Sequence, residues 1–472
     1  MSLAQKIAKN TLFQAFGKIL SSLCSLAAIA LITRYLGPIL FGKYSTSIAF
    51  LQIFGILVDL GLTLVTVQMI SEKNANIKKI LDNIFSFRIL SAFFFMALAP
   101  LAVLLFPYPG IIKIGVLAGA GAFFFNAVNQ VLIGLFQKEL KMEKVAVAEI
   151  ANRFVFLALT GIAVLFHFSL IAFLGAMVTG NLINFIILFL YAQKIVKINF
   201  DFDFSIWKEI FLRSWPIAAG IALNLIYLRA DIFILSLFKP AEDVGFYSAA
   251  YKIIDFLTAF PYMLLGLVLP ILTLAWSEKN SEKFSQISQK TFDFLNIMAF
   301  PMVAGGIILA KPLMVLFAGK EFESSGEILQ ILLLALGMIF PATVFTHAII
   351  AIKKQKTMLW GFGISAIFTL AGYIFLIPKF SYLGAAWMTV FSEALILCWS
   401  ATVVFKYSNF FPNLKISLKS LAASVVMAWI IWMLGIQNII LSITTGAIIY
   451  FILLFAVKGI NIKTIREIIS LR

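Results

Sequence analysis

The sequence is built from long, unbroken runs of apolar residues that are separated by short polar segments. A transmembrane helix needs roughly 20 mostly apolar residues to cross about 30 Å of hydrocarbon, whereas a barrel strand alternates in polarity over about ten residues. The pattern therefore predicts an all-α polytopic membrane protein with about 14 transmembrane helices. The predicted spans are residues 11–33, 44–69, 84–106, 112–136, 145–166, 170–192, 214–238, 246–275, 291–310, 328–351, 358–378, 383–405, 418–434 and 438–457.

The overall composition agrees with this pattern, because 62% of the residues are hydrophobic and only 12% are charged. Typical soluble domains carry about a quarter charged residues. A soluble enzyme, a nucleic-acid-binding module and a disordered scaffold are therefore excluded. The two cysteines, Cys24 and Cys398, lie in apolar runs, and the chain has two histidines, so we expect neither a disulfide framework nor a metal site, and no cofactor.

Basic residues outnumber acidic ones by 37 to 21, and they are scattered singly in the short connections. That distribution is typical of a multispanning protein beside an anionic membrane face and does not indicate nucleic acid. If the N-terminus is cytoplasmic and the sides alternate, most basic residues outside the spans fall on the inner side. The charge pattern thus predicts an even number of spans, with the N- and C-termini cytoplasmic.

A short motif occurs twice at the same place in two helical hairpins. Gly-x-Tyr-Ser at residues 42–45 recurs 203 residues later at 245–248, and a proline-containing turn precedes each copy, at 37–38 and 239–240. Six predicted spans separate the copies, so both halves have the same orientation, as in a parallel repeat about an axis along the membrane normal. The alternative is that small residues and Tyr are simply common where helices meet the membrane interface.

The repeat divides the chain into an N-lobe at residues 1–195, a linker with a C-lobe at 196–406, and two further spans with a tail at 407–472. In the linker, residues 194–213, aromatic and charged side chains alternate. This alternation favours a segment that lies in the cytoplasmic interface of the membrane.

Two parallel six-helix halves plus two extra helices resemble the multidrug/oligosaccharidyl-lipid/polysaccharide exporter superfamily. Residues 34–38 (RYLGP) and 41–45 (FGKYS) are similar to the opening of Wzx-type polysaccharide flippases. Residues 214–216 (SWP), 229–231 (RAD) and 244–252 (VGFYSAAYK) are similar to the start of the second half of those proteins.

The resemblance implies two lobes around a central hydrophilic cavity in the cytoplasmic (inner) membrane. It implies a flippase that moves an undecaprenyl-diphosphate-linked oligosaccharide from the inner to the outer leaflet by alternating access. It also implies partners among the glycan polymerases and glycosyltransferases of the same pathway. The main alternative is a cation-coupled multidrug antiporter of the same superfamily.

Ionisable side chains inside the predicted spans are the first candidates for function. They cost several kcal/mol at bilayer depth unless they face a cavity or a partner. Glu149 and Arg153 are four residues apart, and Lys252 and Asp255 are three apart, so each pair is expected to meet on one helical face.

Lys18 and Arg229 have no such partner on their own helices. Both are therefore predicted to face the cleft between the lobes and to bind the diphosphate, which cations hold by charge-assisted hydrogen bonds. The alternative is that they pair with acidic residues of other helices, namely Asp59, Asp231 or Glu393.

Amide side chains suit sugar hydroxyls, because an amide offers a donor and an acceptor together. Asn126, Asn129 and Gln130 form one such stripe, although amides also join helices to one another in membranes. Arg88 lies near the inner end of its span, where it is expected to snorkel towards water. The complete predicted substrate-binding set is Lys18, Arg88, Arg153, Arg229, Lys252, Asn126, Asn129, Gln130, Asn181 and Asn224.

Four carboxylates inside the spans are predicted to take part in ion coupling, and they are Asp59, Asp231, Asp255 and Glu393. The pattern leaves open whether the coupling ion would be Na⁺ or H⁺. A membrane glycan ligase or polymerase is disfavoured, because the longest outer connection, residues 311–327, has no His or Asp. The two histidines, His167 and His347, are expected to be packed, and we therefore predict that the protein is not an enzyme.

Prolines at positions 100, 216, 261, 301 and 341 fall inside predicted spans. A proline removes one backbone hydrogen bond of a helix and bends it. We expect kinked helices at these positions.

Overall fold

The computed structural model describes residues 3–59, 61–72, 75–436 and 438–459; within these ranges the side chains of residues 3–16, 59, 216–217, 219–221 and 223–228 are not described. The described residues form α-helices, two 3₁₀ turns and no strand. The helices are α1 (Leu3–Asp59), α2 (Leu62–Ile70), α3 (Ile77–Ala102), α4 (Gly110–Lys138), α5 (Met142–Leu165), α6 (Leu170–Gln193), α7 (Phe204–Phe238), α8 (Ala241–Ser277), α9 (Ser281–Ala318), α10 (Ser325–Ala351), α11 (Gln355–Ser408), α12 (Lys415–Leu434) and α13 (Ile439–Ala456).

The all-α class is confirmed, and each of the predicted apolar runs lies mainly on helix in the part that the structure describes. Two of the helices are hairpins of two predicted spans. Gly37 (φ 64°, ψ 176°) interrupts α1, and Ser381 (φ 50°, ψ −135°) interrupts α11. Among the described residues, 11 helical stretches are long and apolar enough to cross a membrane. The count of about 14 crossings stays a prediction.

One predicted span is broken in the structure. The run at residues 44–69 ends its first helical part at Asp59 and resumes at Leu62, with Gly61 in the left-handed region (φ 67°). Glycine adopts this conformation without the steric cost that a Cβ brings. An apolar run by itself contains no signal for such a break, apart from the glycine.

Helix α7 begins inside the segment that was predicted to be a linker, and the place of this segment in the membrane interface stays a prediction. Residues 204–213, expected to lie in the interface as part of a linker, already belong to the first turns of α7. Asp203 caps this helix, because its carboxylate accepts from the Ser205 N–H at 3.0 Å and pairs with the Lys79 amino group at 2.7 Å. The hydrogen bond from Lys79 holds the pKa of Asp203 below its ordinary value.

The short segment that remains between α6 and α7 is fastened to α3. Every second N–H group of residues 199–203 donates to a side chain of α3, and the acceptors are Asp82, Asn83 and Ser86 at 2.7 to 2.9 Å. All three acceptor residues are buried. The irregular segment has no regular backbone hydrogen bonds of its own, so the polar side chains at the start of α3 accept hydrogen bonds from its N–H groups.

The chain divides into two compact units, residues 1–248 and 249–472, and the boundary falls inside α8. In the first unit, Leu51, Ala99 and Val116 belong to one core cluster that joins α1, α3 and α4. The predicted lobe boundaries near residues 195 and 406 stay predictions.

In the second unit, the last two helices dock on α9 through a buried hydroxyl group. Pro301 lies inside α9 and has no N–H, so the carbonyl of Ile297, four residues earlier, loses its helical partner. The hydroxyl of Tyr450, on α13, donates to this carbonyl at 2.7 Å and lies 2.7 Å from the Ser420 hydroxyl of α12. The helices that follow the repeat therefore supply the hydrogen bond that the proline removes.

Candidate substrate site

The break between α1 and α2 exposes backbone groups that a continuous helix would use. The last carbonyls of a helix have no intrahelical partner, and the partial negative charge at that end favours a cation. Arg88, on α3, donates from Nη1 to the carbonyl of Val58 at 2.5 Å, and its side chain is fully buried. The expectation that Arg88 snorkels to the inner surface is therefore wrong, because the broken helix gives the guanidinium a buried acceptor.

A cavity of about 410 Å³ lies beside this break. Its polar lining consists of Thr63, Arg88, Asn126 and Gln130. Its apolar lining includes Phe123, and the remaining wall is formed by Gly55, Leu64 and Ala127. Irregular backbone at membrane depth is tolerated where it is buried in protein or lines a cavity. The site thus combines guanidinium and amide donors, amide acceptors and a hydroxyl within an apolar helical unit.

The predicted amide stripe on α4 divides between this cavity and the helix packing. Asn126 and Gln130 line the cavity. Asn129 is only 2% exposed, and its Nδ2 donates to the Asn181 carbonyl at 3.4 Å, which joins α4 to α6. Nδ2 of Asn181 donates to the Met177 carbonyl within α6 at 2.9 Å. Asn129 and Asn181 therefore follow the alternative in which amides serve packing, while their predicted contact with sugar stays a prediction.

Lys18 forms an ion pair that its own helix could not reveal. Its Nζ lies 3.1 Å from Glu149 Oε1 of α5, and about half of the Lys18 side chain is exposed. The preceding residue, Gly17, allows the close approach, because a Cβ there would lie 2.9 Å from the Cβ of Ala146. The expectation that Lys18 is unpaired is wrong, and so is the expectation that Glu149 pairs with Arg153.

This exchange of partners leaves Arg153 as a half-buried cation on α5. Among the described side chains, no ion pair joins Arg153 to a carboxylate. The guanidinium lies within electrostatic range of the Tyr44 hydroxyl, which belongs to the repeated motif. Arg153, rather than Lys18, is therefore the cation of this helix pair that keeps its charge uncompensated within the described part of the chain.

The charged residues near the second copy of the motif are engaged with neighbours. Arg229 is half-buried and interacts with a neighbouring residue, so the expectation that it stands unpaired is wrong. Asp231 is 1% exposed and accepts from the Tyr247 hydroxyl at 2.7 Å. Lys252 and Asp255 pair at 3.3 Å, which confirms the pairing predicted from their spacing.

The other predicted ionisable and polar residues are distributed as follows. Glu393 on α11 is 5% exposed. The side chains of Asp59 and Asn224 lie outside the part that the structure describes. Within the described residues, no group of three or more His, Cys, Asp or Glu could hold a metal ion, and Cys24 and Cys398 are free thiols. Ion coupling by the four predicted carboxylates stays a prediction.

Sequence reasoning missed the cavity as a site, although it named three of its polar residues. Thr63 gave no signal, since a single threonine in an apolar run is ordinary. The available signal was Gly61, because an isolated glycine in an apolar run can mark a break. The conformation of Gly61 and the cavity beside it depend on how the helices pack, which the spacing of residues along the sequence does not predict.

Comparison with known proteins places these features in a family. Residues 7–277 match the model of the family described as polysaccharide biosynthesis protein. The putative O-antigen transporter of Shigella flexneri is 24% identical over 420 residues, which is 84% of this chain and 98% of that protein. The capsular polysaccharide biosynthesis protein CapF of Staphylococcus aureus is also 24% identical, over 58% of this chain and 70% of its own length.

Solved structures give the fold. The lipid II flippase MurJ in an inward closed conformation aligns with a TM-score of 0.76 at 16% identity, over 94% of this chain and 98% of that chain. An inward-facing multidrug resistance MATE family transporter aligns with a TM-score of 0.62 at 12% identity, over 85% of this chain and 96% of that chain. The chain therefore has the fold of these membrane transporters, and its match to the family model over more than half of its length shows that it belongs to the polysaccharide biosynthesis protein family.

Proposed function

We propose that this multi-pass membrane protein is a flippase that moves an undecaprenyl-diphosphate-linked oligosaccharide from the inner to the outer leaflet of the cytoplasmic membrane by alternating access. The observation that carries the proposal is the cavity lined by Arg88, Asn126 and Gln130 within an otherwise apolar helical unit. The similarity to a putative O-antigen transporter along almost the whole of that protein supports the same substrate class.

The chemistry of the substrate matches the side chains of this unit. A glycan and its diphosphate need replacements for water when they enter an apolar bundle, since unpaired polar groups are costly there. The amides of Asn126 and Gln130 each offer a donor and an acceptor to sugar hydroxyls. A guanidinium can bind phosphate oxygens through two parallel hydrogen bonds, and Arg153 keeps an uncompensated charge among the described side chains. We therefore assign sugar contacts to the two amides and a phosphate contact to Arg153.

A cation-coupled multidrug antiporter is the second candidate, because the chain also has the fold of a multidrug transporter and contains the buried carboxylates Asp231 and Glu393. Buried carboxylates can carry protons or cations in transporters. The cations Arg88 and Arg153 favour the flippase, since they would repel a cationic drug. A glycan ligase or polymerase has less support, because the relatives named above include a transporter.

The transport test uses the purified chain in liposomes with a lipid-linked oligosaccharide that bears a fluorophore on its glycan. A membrane-impermeant reductant bleaches the outer leaflet, and flipping exposes the remaining fluorophores. We expect bleaching beyond half of the signal with the wild type, and slower bleaching with a double variant, Asn126→Ala with Gln130→Ala. The matched control is Gln286→Ala, which removes an exposed amide on α9.

The two candidates give different outcomes in this system. Bleaching that stops at half of the signal in the wild type, together with uptake of a cationic dye driven by a proton or sodium gradient, would support the antiporter. Wild-type flipping that the double variant leaves unchanged would remove the cavity from the mechanism while keeping the flippase.

The orientation and the partners belong to the same proposal. The excess of basic residues in alternate connections supports cytoplasmic N- and C-termini. A reporter enzyme that works only in the cytoplasm should then be active when it is fused after Arg472. Because a flipped glycan is made on one side and used on the other, we also propose that glycosyltransferases or a polymerase of the same pathway act next to this protein.

A further inference from the structure

The repeated Gly-x-Tyr-Ser motif has a role in packing that the cavity does not explain. The segment of α1 that follows its kink, residues 38–45, touches the first turns of α8, residues 241–248, backbone against backbone. A Cβ placed on Gly42 would overlap the carbonyl oxygen of Ala241 and lie 2.6 Å from its carbonyl carbon. A Cβ on Gly245 would overlap the carbonyl oxygen of Pro38 and lie 2.8 Å from its carbonyl carbon.

The contact is reciprocal. Each glycine faces the carbonyl of the residue four positions before the other glycine, and both pairs of equivalent residues are 203 positions apart. A contact in which each partner presents the same surface to the other is the signature of two-fold symmetry. The two copies of the repeat therefore meet through their own motifs, and only glycine at both positions allows the distance.

The contact lies beside two buried tyrosines and a small cavity. Tyr44 and Tyr247 are buried within the protein, so the alternative in which they anchor at the membrane surface is wrong. Beside the glycines, a cavity of about 300 Å³ is lined by Thr46, Tyr108 and Ser236, among other residues. Small residues that let backbones approach closely associate by van der Waals and weak Cα–H···O contacts, which a modest free energy can separate.

We propose that Gly42 and Gly245 form the closing contact of the transporter at the end of the bundle that the sequence assigns to the outside, and that each transport cycle breaks and remakes this contact. The inference rests on the proposed alternating access. A methyl group on either glycine keeps the two backbones apart, so it holds this end open. The overlap with backbone atoms, which cannot rotate away, predicts a shift of more than about tenfold in the ratio of open to closed protein.

The test measures access to the closed end with a thiol reagent, so it does not depend on the substrate. Thr46→Cys is placed in a background in which Cys24 and Cys398 are Ser, because Thr46 is 2% exposed beside the contact. A membrane-impermeant maleimide is added from outside. We expect Gly42→Ala and Gly245→Ala each to raise the labelling rate more than about tenfold and to lose glycan flipping, with retained monodispersity.

Gly110→Ala is the matched control. Gly110 begins α4 near the same end, and a Cβ there would meet no atom within 4 Å. Its labelling and its flipping should equal those of the wild type. Wild-type labelling in folded Gly42→Ala and Gly245→Ala would overturn the proposal. If the wild type itself does not flip the glycan, the proposed function fails, while raised labelling in the two variants still shows that the glycines close this end.

A cross-link covers the case in which the alanine variants do not fold. Lys43→Cys combined with Ala241→Cys leaves both glycines in place and adds thiols on the two sides of the contact. A short, reducible bifunctional thiol reagent should stop flipping, and reduction should restore it. Flipping that continues in the cross-linked protein would overturn the proposal independently.

Discussion

Replacing Tyr450 by Phe should destabilise the second unit by removing a single oxygen atom. Tyr450 is 1% exposed, and its hydroxyl makes two hydrogen bonds of 2.7 Å, to the carbonyl of Ile297 and with the Ser420 hydroxyl. The phenyl ring keeps the packing against α9 and α12. The loss is therefore that of a buried carbonyl left unsatisfied, which costs about 1–3 kcal/mol of unfolding free energy.

Pro301 allows the cause of that loss to be isolated. Pro301→Ala restores an N–H to α9, so the Ile297 carbonyl can again accept from its own helix. In this background Tyr450→Phe should cost much less than in the wild type, and the difference is the coupling energy of a double-mutant cycle. The control is Tyr407→Phe. It removes a hydroxyl with no hydrogen bond to a described residue and keeps the ring whose centroid lies 4.3 Å from the Lys354 amino group.

The assay is reversible unfolding in mixed micelles with increasing denaturing detergent, followed by tryptophan fluorescence. We expect a clear decrease of stability for Tyr450→Phe, almost none for Tyr407→Phe, and a strongly reduced effect of Tyr450→Phe when Pro301 is Ala. Equal effects of Tyr450→Phe in both backgrounds would refute the reasoning, because the hydroxyl would then act on something other than the carbonyl that the proline frees.

Three further predictions concern the first unit. Arg88→Met should lower the unfolding free energy by about 1.5–3 kcal/mol, because a buried carbonyl loses a charged donor, and Arg88→Lys should lower it less; micelle unfolding measures both. Tyr247→Phe should cost a similar about 1.5–3 kcal/mol, since Asp231 loses a buried donor, and Tyr247→Phe should cost less when Asp231 is Asn. Asp203 has a lowered pKa through Lys79, so its cap on α7 is fully present above the ordinary carboxyl pKa and is lost as pH falls through the lowered value. Hydrogen exchange in the first turn of α7 should accelerate there, and Asp203→Asn should remove that pH dependence.

The fold class was predictable because the bilayer dictates it. A run of roughly 20 apolar residues has few alternatives to a helix when no water satisfies its backbone. The details of the turns were not predictable from the same rule. The turn at Gly37 and Pro38 was expected to be a loop between two spans, yet only Gly37 leaves the helical region and the helix continues on both sides. One residue with a positive φ suffices to reverse the chain. A hydropathy pattern, which extends over many residues, cannot show a conformational change at a single residue.

The site was predictable in its residue types and much less in its pairings. Spacing along one helix predicted the pair of Lys252 with Asp255, because both groups share a helical face. Spacing could not predict the pair of Lys18 with Glu149, whose positions differ by 131 residues and whose contact depends on how α1 packs on α5. Once Glu149 has a different partner, Arg153 changes from a neutralised residue to one that no carboxylate compensates among the side chains that the structure describes. The roles of charged side chains in membrane helices therefore follow from helix packing, even where their presence is evident from sequence.

The repeat is a different case, because the sequence predicted two parallel halves from the motif, whereas the contact between the two copies of the motif came from the structure. Either copy of Gly-x-Tyr-Ser is ordinary by itself, because small residues and Tyr are frequent at helix ends. In a parallel repeat, however, a close backbone contact on the symmetry axis needs a residue without a Cβ at the equivalent position of each half. The same glycine therefore appears twice in the sequence. Gly42 and Gly245 are these two glycines, and each packs against a backbone carbonyl of the other copy. Gly110, at the start of α4, makes no such contact, because a Cβ there would meet no atom within 4 Å. A weak motif that recurs at the offset of the two halves is therefore a stronger indication of a contact between them than either of its copies.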